Sequence, residues 1–337
     1  MEAVLAIEAL LERALEQRGE LRARLASERT DCFRLLHGLA EGRPGLSIDL
    51  YGRLLLVQTF REPLVDGELD RIESFVRTRV RGDVVSAWNH RANWPREPFE
   101  RWHTPHPSAL EEHVATEFGV PYAIRARHRG QDPWLFLDLR AGRRIVSDLA
   151  AGRSVLNLFA YTGSAGICAA AHGATEVWNV DFAKTSLDIA RRHAQLAGIR
   201  AEVVRDIHED VLPVLRQLAG LPVKGRGSSR PYLRLEPRTF DVVVLDPPAW
   251  SKGPFGAVDV ENDYPSLFKP ALLACASGGR VLATNHVARV GVETWRATLA
   301  RTAEKCGRPL AALAVIGPDA DFPGDPPALK IAIARVA

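Results

Sequence analysis

A doubly wound parallel α/β sheet with a smaller α+β domain ahead of it is the fold class this sequence predicts, and three observations carry the prediction. From Ser154 onward, aliphatic runs and helical spacings alternate strand by helix, the grammar of a parallel sheet with crossover helices. Within that region FDVVVLDPPAWS (Phe240 to Ser251) holds an unbroken apolar run, Val242 to Leu245, as expected of a strand covered on both faces. Before it, the first third of the 337 residues is built differently, from short apolar runs separated by Gly- and Pro-bearing turns.

The opening stretch MEAVLAIEALLERALEQRGELRARL repeats leucine at helical spacing and carries Glu2 and Glu8 with no small-residue cleavage site, so it predicts an amphipathic helix and not a signal peptide. FRLLHGLAEGRPGLSIDLYGRLLLVQTF predicts a β-meander, with strands near 33–37, 45–50 and 53–60. A helix over Glu68 to Thr78 and a strand at VVSAWNH complete a compact α+β unit, placed at residues 1–127. Between these elements and the next, WNHRANWPREPFERWHTPH (Trp88 to His106) gathers three Trp, three His and three Arg. Such a loop suits base stacking, or a tryptophan anchor for a long connection. Metal binding by His90, His103 and His106 is disfavoured, because their spacing matches no zinc motif.

The second domain is expected over 128–337. Its strands are read at 155–160, 176–182, 201–206, 240–246, GRVLATN, 310–316 and 329–336. Helices are read at Ser164 to His172, Ala183 to Ala197, Ile207 to Leu218, Tyr264 to Ala276 and Val292 to Lys305.

Composition excludes little beyond a membrane-spanning helix, since no run approaches the length a bilayer requires. Cys32, Cys168, Cys275 and Cys306 form no CxxC pair, which suggests reduced thiols and a cytoplasmic location. Net charge is +3, but residues 1–127 hold 18 basic and 20 acidic side chains, so the basic excess lies in the second half. Much of it falls in LPVKGRGSSRPYLRLEPRT (Leu221 to Thr239), where Lys224, Arg226, Arg230, Arg234 and Arg238 face only Glu236. This stretch is a candidate clamp for a phosphate backbone, or else a solvated loop.

Site residues follow from the strand ends. Proline cannot donate to a sheet ladder and holds its predecessor extended, so Pro247 and Pro248 make Asp246 the carboxyl end of the fourth strand, the edge where such sheets bind ligands. The first strand ends in NLFAYTGSAGICAAA, whose Gly163 and Gly166 fall short of a dinucleotide fingerprint. The second ends in Asp181, about 18 residues after Gly163, where an acid can bind ribose hydroxyls. The third is read to end in Asp206, a candidate acceptor for an adenine amino group. Either acid could instead cap its following helix. Taken together with Asp-Pro-Pro, the arrangement points to S-adenosyl-L-methionine.

The chain resembles the bacterial 23S rRNA large-subunit methyltransferases that act on cytosine C5 or guanine N7. The resemblance rests on the meander sequence with LLLVQ, then FLDLR, VLNLFAYTG, EVWNVDFAKTSLDIARRHAQLAG, FDVVVLDPPAW and DADFP, spanning about residues 30–335. It implies a Rossmann-like class I methyltransferase domain. Phe136, Asp138 and Arg140 would line the cofactor pocket, with Asn157, Phe159, Tyr161 and Gly163 around the methionine moiety. Asp181 would hold the ribose and Asp206 the adenine, while Asp246, Pro247, Pro248 and Trp250 would frame the target base. The implied partner is RNA, 23S rRNA or its precursor; no membrane partner is expected, and a homodimer is possible. The resemblance departs in two places: a helix stands where many relatives carry a PUA domain, and GQDPWLFLDLR lacks the usual Lys-Thr-Gly.

Cytosine C5 needs covalent activation, normally by a cysteine after the strand that follows Asp-Pro-Pro. Here that place reads Thr284, Asn285, His286. A ring nitrogen needs alignment more than activation, so guanine N7 is the expected acceptor, an exocyclic amine the close competitor, and His286 a candidate base. Trp250 would stack the flipped base while Asp246 and Asn285 bond its edge. The other readings are a small-molecule or protein methyltransferase, a C5 methyltransferase, and a non-catalytic ribosome-assembly factor.

Overall fold

The computed structural model describes residues 6–91, 106–127, 132–223 and 231–337, which divide into two compact units. The first comprises residues 1–138 together with Asp319–Gly324; the second comprises Leu139–Pro318 and Asp325–Ala337. The boundary therefore falls eleven residues beyond the expected one, and a short return segment joins the first unit.

In the first unit the opening helix is two, α1 (Ile7–Gln17) and α2 (Gly19–Ser27). They meet at Arg18, whose buried guanidinium pairs with Glu41 at 2.7 Å and donates to the Arg34 carbonyl at 2.9 Å. Four strands follow: β1 (Cys32–Leu36), β2 (Leu46–Tyr51), β3 (Leu54–Thr59) and, after α3 (Glu68–Arg79), β4 (Val85–His90). β1 to β3 form the expected antiparallel meander, and β4 joins parallel to β3. Leu11, Leu25, Leu35, Ile48, Val57 and Ile72 make the core between helices and sheet. A hairpin of β5 (His113–Glu117) and β6 (Val120–Ile124), not anticipated from sequence, completes the unit. The returning DADFPG segment docks by side-chain chemistry. Arg24 pairs with Asp319 at 2.7 Å, the Arg34 N–H donates to Asp321 at 2.9 Å, and the Arg34 guanidinium lies 4.4 Å from the Phe322 ring centre.

The second unit opens with α4 (Arg140–Ala150), also absent from the sequence expectation, then runs β7 (Ser154–Leu158), α5 (Ser164–Ala171), β8 (Glu176–Asp181), α6 (Lys184–Leu196), β9 (Val204–His208) and α7 (Val211–Leu218). It continues through β10 (Phe240–Leu245), a hairpin of β11 (Trp250–Gly253) and β12 (Gly256–Asp259), α8 (Pro265–Leu273), β13 (Cys275–Asn285), α9 (Val292–Lys305), β14 (Leu310–Ile316) and β15 (Lys330–Val336). Seven of these strands form one sheet in the order β14-β15-β13-β10-β7-β8-β9, in which β15 alone runs against the rest. The chain walks from β7 outward to β9, then returns to the other side of β7 as β10. That reversal opens a crevice at the carboxyl ends of β7 and β10.

Both faces of the sheet are covered, which is why β10 has no polar alternation. Val243 and Leu245 meet α7, α8 and α9, while Val242 and Val244 meet α4 and α5. Each fully buried Val or Leu contributes on the order of 1.5–3 kcal/mol, so this four-residue stretch anchors the strand end. Asp246 stands at that end.

Candidate active site

The loop after β7 is the most strained segment at the crevice. Phe159 (φ 57°), Tyr161 (φ 50°) and Gly163 (φ 72°) all adopt left-handed backbone, a conformation costing about 1–3 kcal/mol for a bulky residue and concentrated at ligand-binding turns. The loop is held from beneath by Asp181 at the end of β8. One carboxylate oxygen accepts from the Tyr161 N–H and the other from the Ala183 N–H, each at 2.8 Å. Burial pushes the Asp181 carboxyl above the usual range, against the pull of those two N–H groups. A carboxylate offers about four acceptor sites, so the N–H groups of Tyr161, Ala183 and Phe182 leave capacity for a ligand hydroxyl.

Gly163 and Gly166 serve packing. A Cβ on Gly166 would lie 2.1 Å from Asn179 Oδ1, so only glycine lets α5 approach β8. Asn179 belongs to a buried ladder across three strands. Asn157 Nδ2 donates to Asn179 Oδ1 at 2.9 Å, and Asn179 Nδ2 donates to Asp206 Oδ1 at 3.0 Å. Asn157 and Asp206, both expected to touch the cofactor, are rungs of this ladder. The third strand is shifted: β9 runs to His208 and pairs Asp206 with Asn179, two residues short of the edge. Burial raises the Asp206 carboxyl despite Asn179 and the Arg191 guanidinium 3.4 Å away. The acids that do follow this strand are Glu209 and Asp210. Asp210 caps α7 by accepting from the Leu212 N–H at 2.9 Å, and burial raises it as well.

Of the FLDLR residues, Phe136 is half exposed and lies with Asp138 at the end of the first unit, while Arg140 begins α4 and is wholly buried. Sequence reasoning missed Arg143, buried on the same helix with Nη1 3.5 Å from Ser164 Oγ, directly after the strained loop. It also missed Phe182, which follows Asp181 at the crevice edge and is 68% exposed.

At the end of β10, the hydroxyl of Thr284 on β13 donates to Asp246 Oδ1. Behind it Tyr264, buried at the start of α8, donates to the Thr284 carbonyl at 2.8 Å. Burial, with the nearby Asp246 charge, holds the Tyr264 hydroxyl well above its ordinary pKa, so it stays a donor. Pro247 is buried and Trp250 opens the following hairpin 63% exposed. Asn285 does not share the edge with Asp246 as expected. It follows Thr284 on the strand and so faces the other side of the sheet, fully buried, its Oδ1 accepting from the Val287 N–H at 2.9 Å. His286 is exposed beside it.

No thiol among the described residues lies at this edge. Cys275 is the first residue of β13, not part of a helix, and is level with Phe240 at the opposite end of β10. At strand rise that is roughly 20 Å from Asp246. Burial pushes its thiol up to about 12. Cys168 is buried within α5.

Part of the basic stretch reaches the same edge. Lys224, Arg226 and Arg230 lie outside the described residues. Arg234 donates to the Tyr232 hydroxyl at 2.5 Å and lies over its ring, and Tyr232 packs edge-on against Phe255 in the hairpin after Trp250. Arg238 pairs with Glu176 and stacks on Trp178 and Phe240. In the Trp/His/Arg loop, residues 92–105 are likewise outside the described residues. Its ends are anchored separately, Trp88 and His90 on the Thr59 hydroxyl and His106 on Glu73, so His90 and His106 do not converge.

A family model described as S-adenosylmethionine-dependent methyltransferase matches residues 33–328. Ribosomal RNA large subunit methyltransferase I of Aeromonas salmonicida (strain A449) is 29% identical over 297 residues, 86% of this chain and 70% of the relative. Ribosomal RNA large subunit methyltransferase K of Neisseria meningitidis serogroup B is 34% identical over 181 residues, covering 53% of this chain and 47% of the relative. The K/L protein of Allochromatium vinosum is 32% identical, but this chain spans only 23% of its length. Among solved structures, SMU.776, described as a methyltransferase and complexed with SAH, superposes over the whole chain with a TM-score of 0.78 at 21% identity, covering 83% of that structure. The SAM-dependent methyltransferase from Agrobacterium tumefaciens gives 0.62 at 20% identity, over 87% of this chain and 88% of that one. The strained loop, the acid beneath it and the Asp-Pro-Pro edge are thus set on a shared fold, and the chain belongs to the S-adenosylmethionine-dependent methyltransferase family, with S-adenosylmethionine as its methyl donor.

Proposed function

We propose that this methyltransferase modifies a nitrogen of a base in large-subunit ribosomal RNA, with guanine N7 the favoured acceptor. The RNA reading is supported by the relatives, named as large-subunit ribosomal RNA methyltransferases over much of this chain. The nitrogen reading is carried by one observation: the edge that presents Asp246 and an exposed Trp250 has no thiol among the described residues.

S-adenosylmethionine supplies an electrophilic methyl on a sulfonium. The chain's own residues would do the rest. The Phe159–Gly163 loop, Asp181 and Asp210 would hold the cofactor, with Asp181 accepting from its ribose and Phe182 covering the adenine face. Asp210 takes the acceptor place expected of Asp206, because it follows the strand instead of lying inside it. Trp250 would stack the extruded base. Asp246, oriented by Thr284, would accept from the base's N–H groups and so present the lone pair of N7 in line with the methyl. Alignment of this kind contributes through proximity and needs no covalent adduct.

Asp246 also favours a second reading, methylation of an exocyclic amine. A carboxylate accepting from an NH2 group holds it for transfer, and His286, exposed one residue beyond Asn285, is then available to take the proton. Incubating rRNA from a deletion strain with purified protein and labelled S-adenosylmethionine, then analysing nucleosides by mass spectrometry, separates these outcomes. N7-methylguanosine supports the first, an N-methylated exocyclic amine the second. A 5-methylcytidine product, or no label in RNA at all, refutes both.

A further inference from the structure

The surface beyond Trp250 repeats one pattern, an aromatic ring with a cation two residues further on. In β11, strand alternation turns Trp250 and Lys252 to the solvent side, while Ser251 lies level with Val258, which is 3% exposed and roots the hairpin in the core. Trp250 and Lys252 are both exposed and stand about 7 Å apart along one face.

The second pair, Tyr232 and Arg234, belongs to the extended segment that leads towards β10. Glu209, just ahead of α7, and Gln217, within it, hold this segment by its backbone. The Leu233 N–H donates to Glu209 at 2.9 Å, the Gln217 amide donates to the Leu233 carbonyl at 2.9 Å, and the Leu235 N–H donates back to Gln217 at 3.1 Å. Arg234 is exposed, with its guanidinium carbon 4.2 Å from the Tyr232 ring centre, so the ring braces the guanidinium on one side and leaves the other to solvent. Tyr232 in turn packs edge-on against Phe255 at the hairpin turn, 5.6 Å between ring centres. The two pairs are thus joined into one surface.

No carboxylate among the described residues, Glu236 included, forms an ion pair with Lys252 or Arg234. Nearby acids are engaged elsewhere: Asp259 accepts from Asn262, and Glu209 from the Leu233 and Asp210 N–H groups. Unpaired cations interleaved with rings suit single-stranded nucleic acid, whose bases stack on any π-face while its phosphates are neutralised. A duplex keeps its bases stacked on one another and would meet only the cations.

We propose that this surface is a platform for single-stranded RNA. With the target base on Trp250, the adjoining phosphate meets Lys252, and the next base stacks on the Arg234 guanidinium that Tyr232 supports. The proposal rests on the RNA reading of the active site and narrows it: the target lies in an unpaired stretch of large-subunit ribosomal RNA, not within a helix.

The test is binding of a short unstructured RNA labelled with fluorescein, alone and annealed to its complement, across a salt series. S-adenosylmethionine affinity is measured in parallel by calorimetry. The wild type should favour the single strand by about tenfold, the worth of one stacked base. Arg234→Lys keeps the charge and removes the planar face, so it should weaken single-strand binding about tenfold with little change in salt dependence. Lys252→Ala should lower the slope of log affinity against log salt by about 0.7, the value for one phosphate of a single strand. Both positions are exposed, and both variants should bind S-adenosylmethionine as the wild type does. Equal wild-type affinity for single strand and duplex, or wild-type affinity and slope in both variants, would overturn the platform while leaving the RNA substrate standing. Failure of the wild type to bind either RNA would overturn the substrate reading and the platform with it.

Discussion

The Thr284 hydroxyl and the Asp246 carboxylate meet across two adjacent strand ends, with Tyr264 bonded to the carbonyl of the same threonine. The orientation of the Asp246 carboxylate, which on the proposed reading accepts from the base, is thereby fixed by a neighbouring strand. Thr284→Val keeps the shape and removes the donor. A hydrogen bond to a charged group is worth roughly 1.5–3 kcal/mol, so kcat should fall about 10- to 100-fold. S-adenosylmethionine affinity should not change. Steady-state kinetics on rRNA with parallel calorimetry decide it, and an unchanged kcat would remove Thr284 from the site.

Trp250 is exposed and carries no packing duty, so Trp250→Ala should leave the melting temperature and cofactor affinity unchanged. Loss of a stacked base costs about 1–3 kcal/mol. Methyl transfer to rRNA should drop by about 10- to 100-fold in kcat/KM, and Trp250→Phe should recover most of it. Equal activity in the alanine variant would show that the base is held elsewhere.

Cofactor affinity should depend on pH through Asp181. Burial holds its carboxyl above the ordinary range, so on acidification it takes up a proton earlier than an exposed aspartate does. The protonated form loses acceptor capacity, so S-adenosylmethionine should bind more weakly as pH falls through that raised value. For stability the sign is opposite. The folded state binds more protons than the unfolded one between the ordinary and the raised pKa, so this group's contribution to stability declines as pH rises through that window. Calorimetry from mildly acidic to neutral pH, with Asp181→Asn as control, tests the point. The variant should bind weakly and without this dependence.

The strand-by-helix order and the Asp246 edge were legible because they are local. Four consecutive aliphatics, three of them β-branched, read as a doubly covered strand, and two prolines end it. Asp181 was legible for the same reason, since its strand stops where its apolar run stops. Asp206 was misplaced because β9 is an outer strand whose alternation, Val-Arg-Asp-Ile-His, does not announce its end; only pairing with Asn179 shows that two residues remain. Helix α4 went unread although Gly142, Val146 and Ala150 recur at helical spacing, because its buried face also carries Arg140 and Arg143. Charge there masks the period. Asn285 was placed on the base edge by its resemblance to Asn-bearing relatives at this strand end, whereas strand alternation turns it away from Asp246.

Gly166 should be irreplaceable for a reason unrelated to ligand contact. Its α-carbon faces Asn179, and an added methyl would sit 2.1 Å from Oδ1 and 2.9 Å from Val177 Cγ1. Gly166→Ala must therefore push α5 away from β8 or break the Asn157–Asn179–Asp206 ladder. Overpacking of this kind costs about 1–3 kcal/mol. Because α5 begins directly after the strained loop, the same displacement should weaken S-adenosylmethionine binding. A lowered melting temperature together with reduced cofactor affinity is the expected pair of results, whereas stability at the wild-type level would mean that the ladder yields without cost.

Cys275 offers the sharpest separation between carbon and nitrogen chemistry. It is level with Phe240, at the far end of the strand that presents Asp246, and its thiol is held up to about 12, so almost no thiolate exists at neutral pH. Cys275→Ala removes one buried sulfur and should cost about 1 kcal/mol of stability. It should leave methyl transfer within about twofold of the wild type, and rRNA carrying 5-fluorocytidine should form no covalent complex with either protein. A denaturation-resistant adduct on gels, lost in Cys275→Ala, would reverse the assignment and require the strand end to rearrange during the reaction.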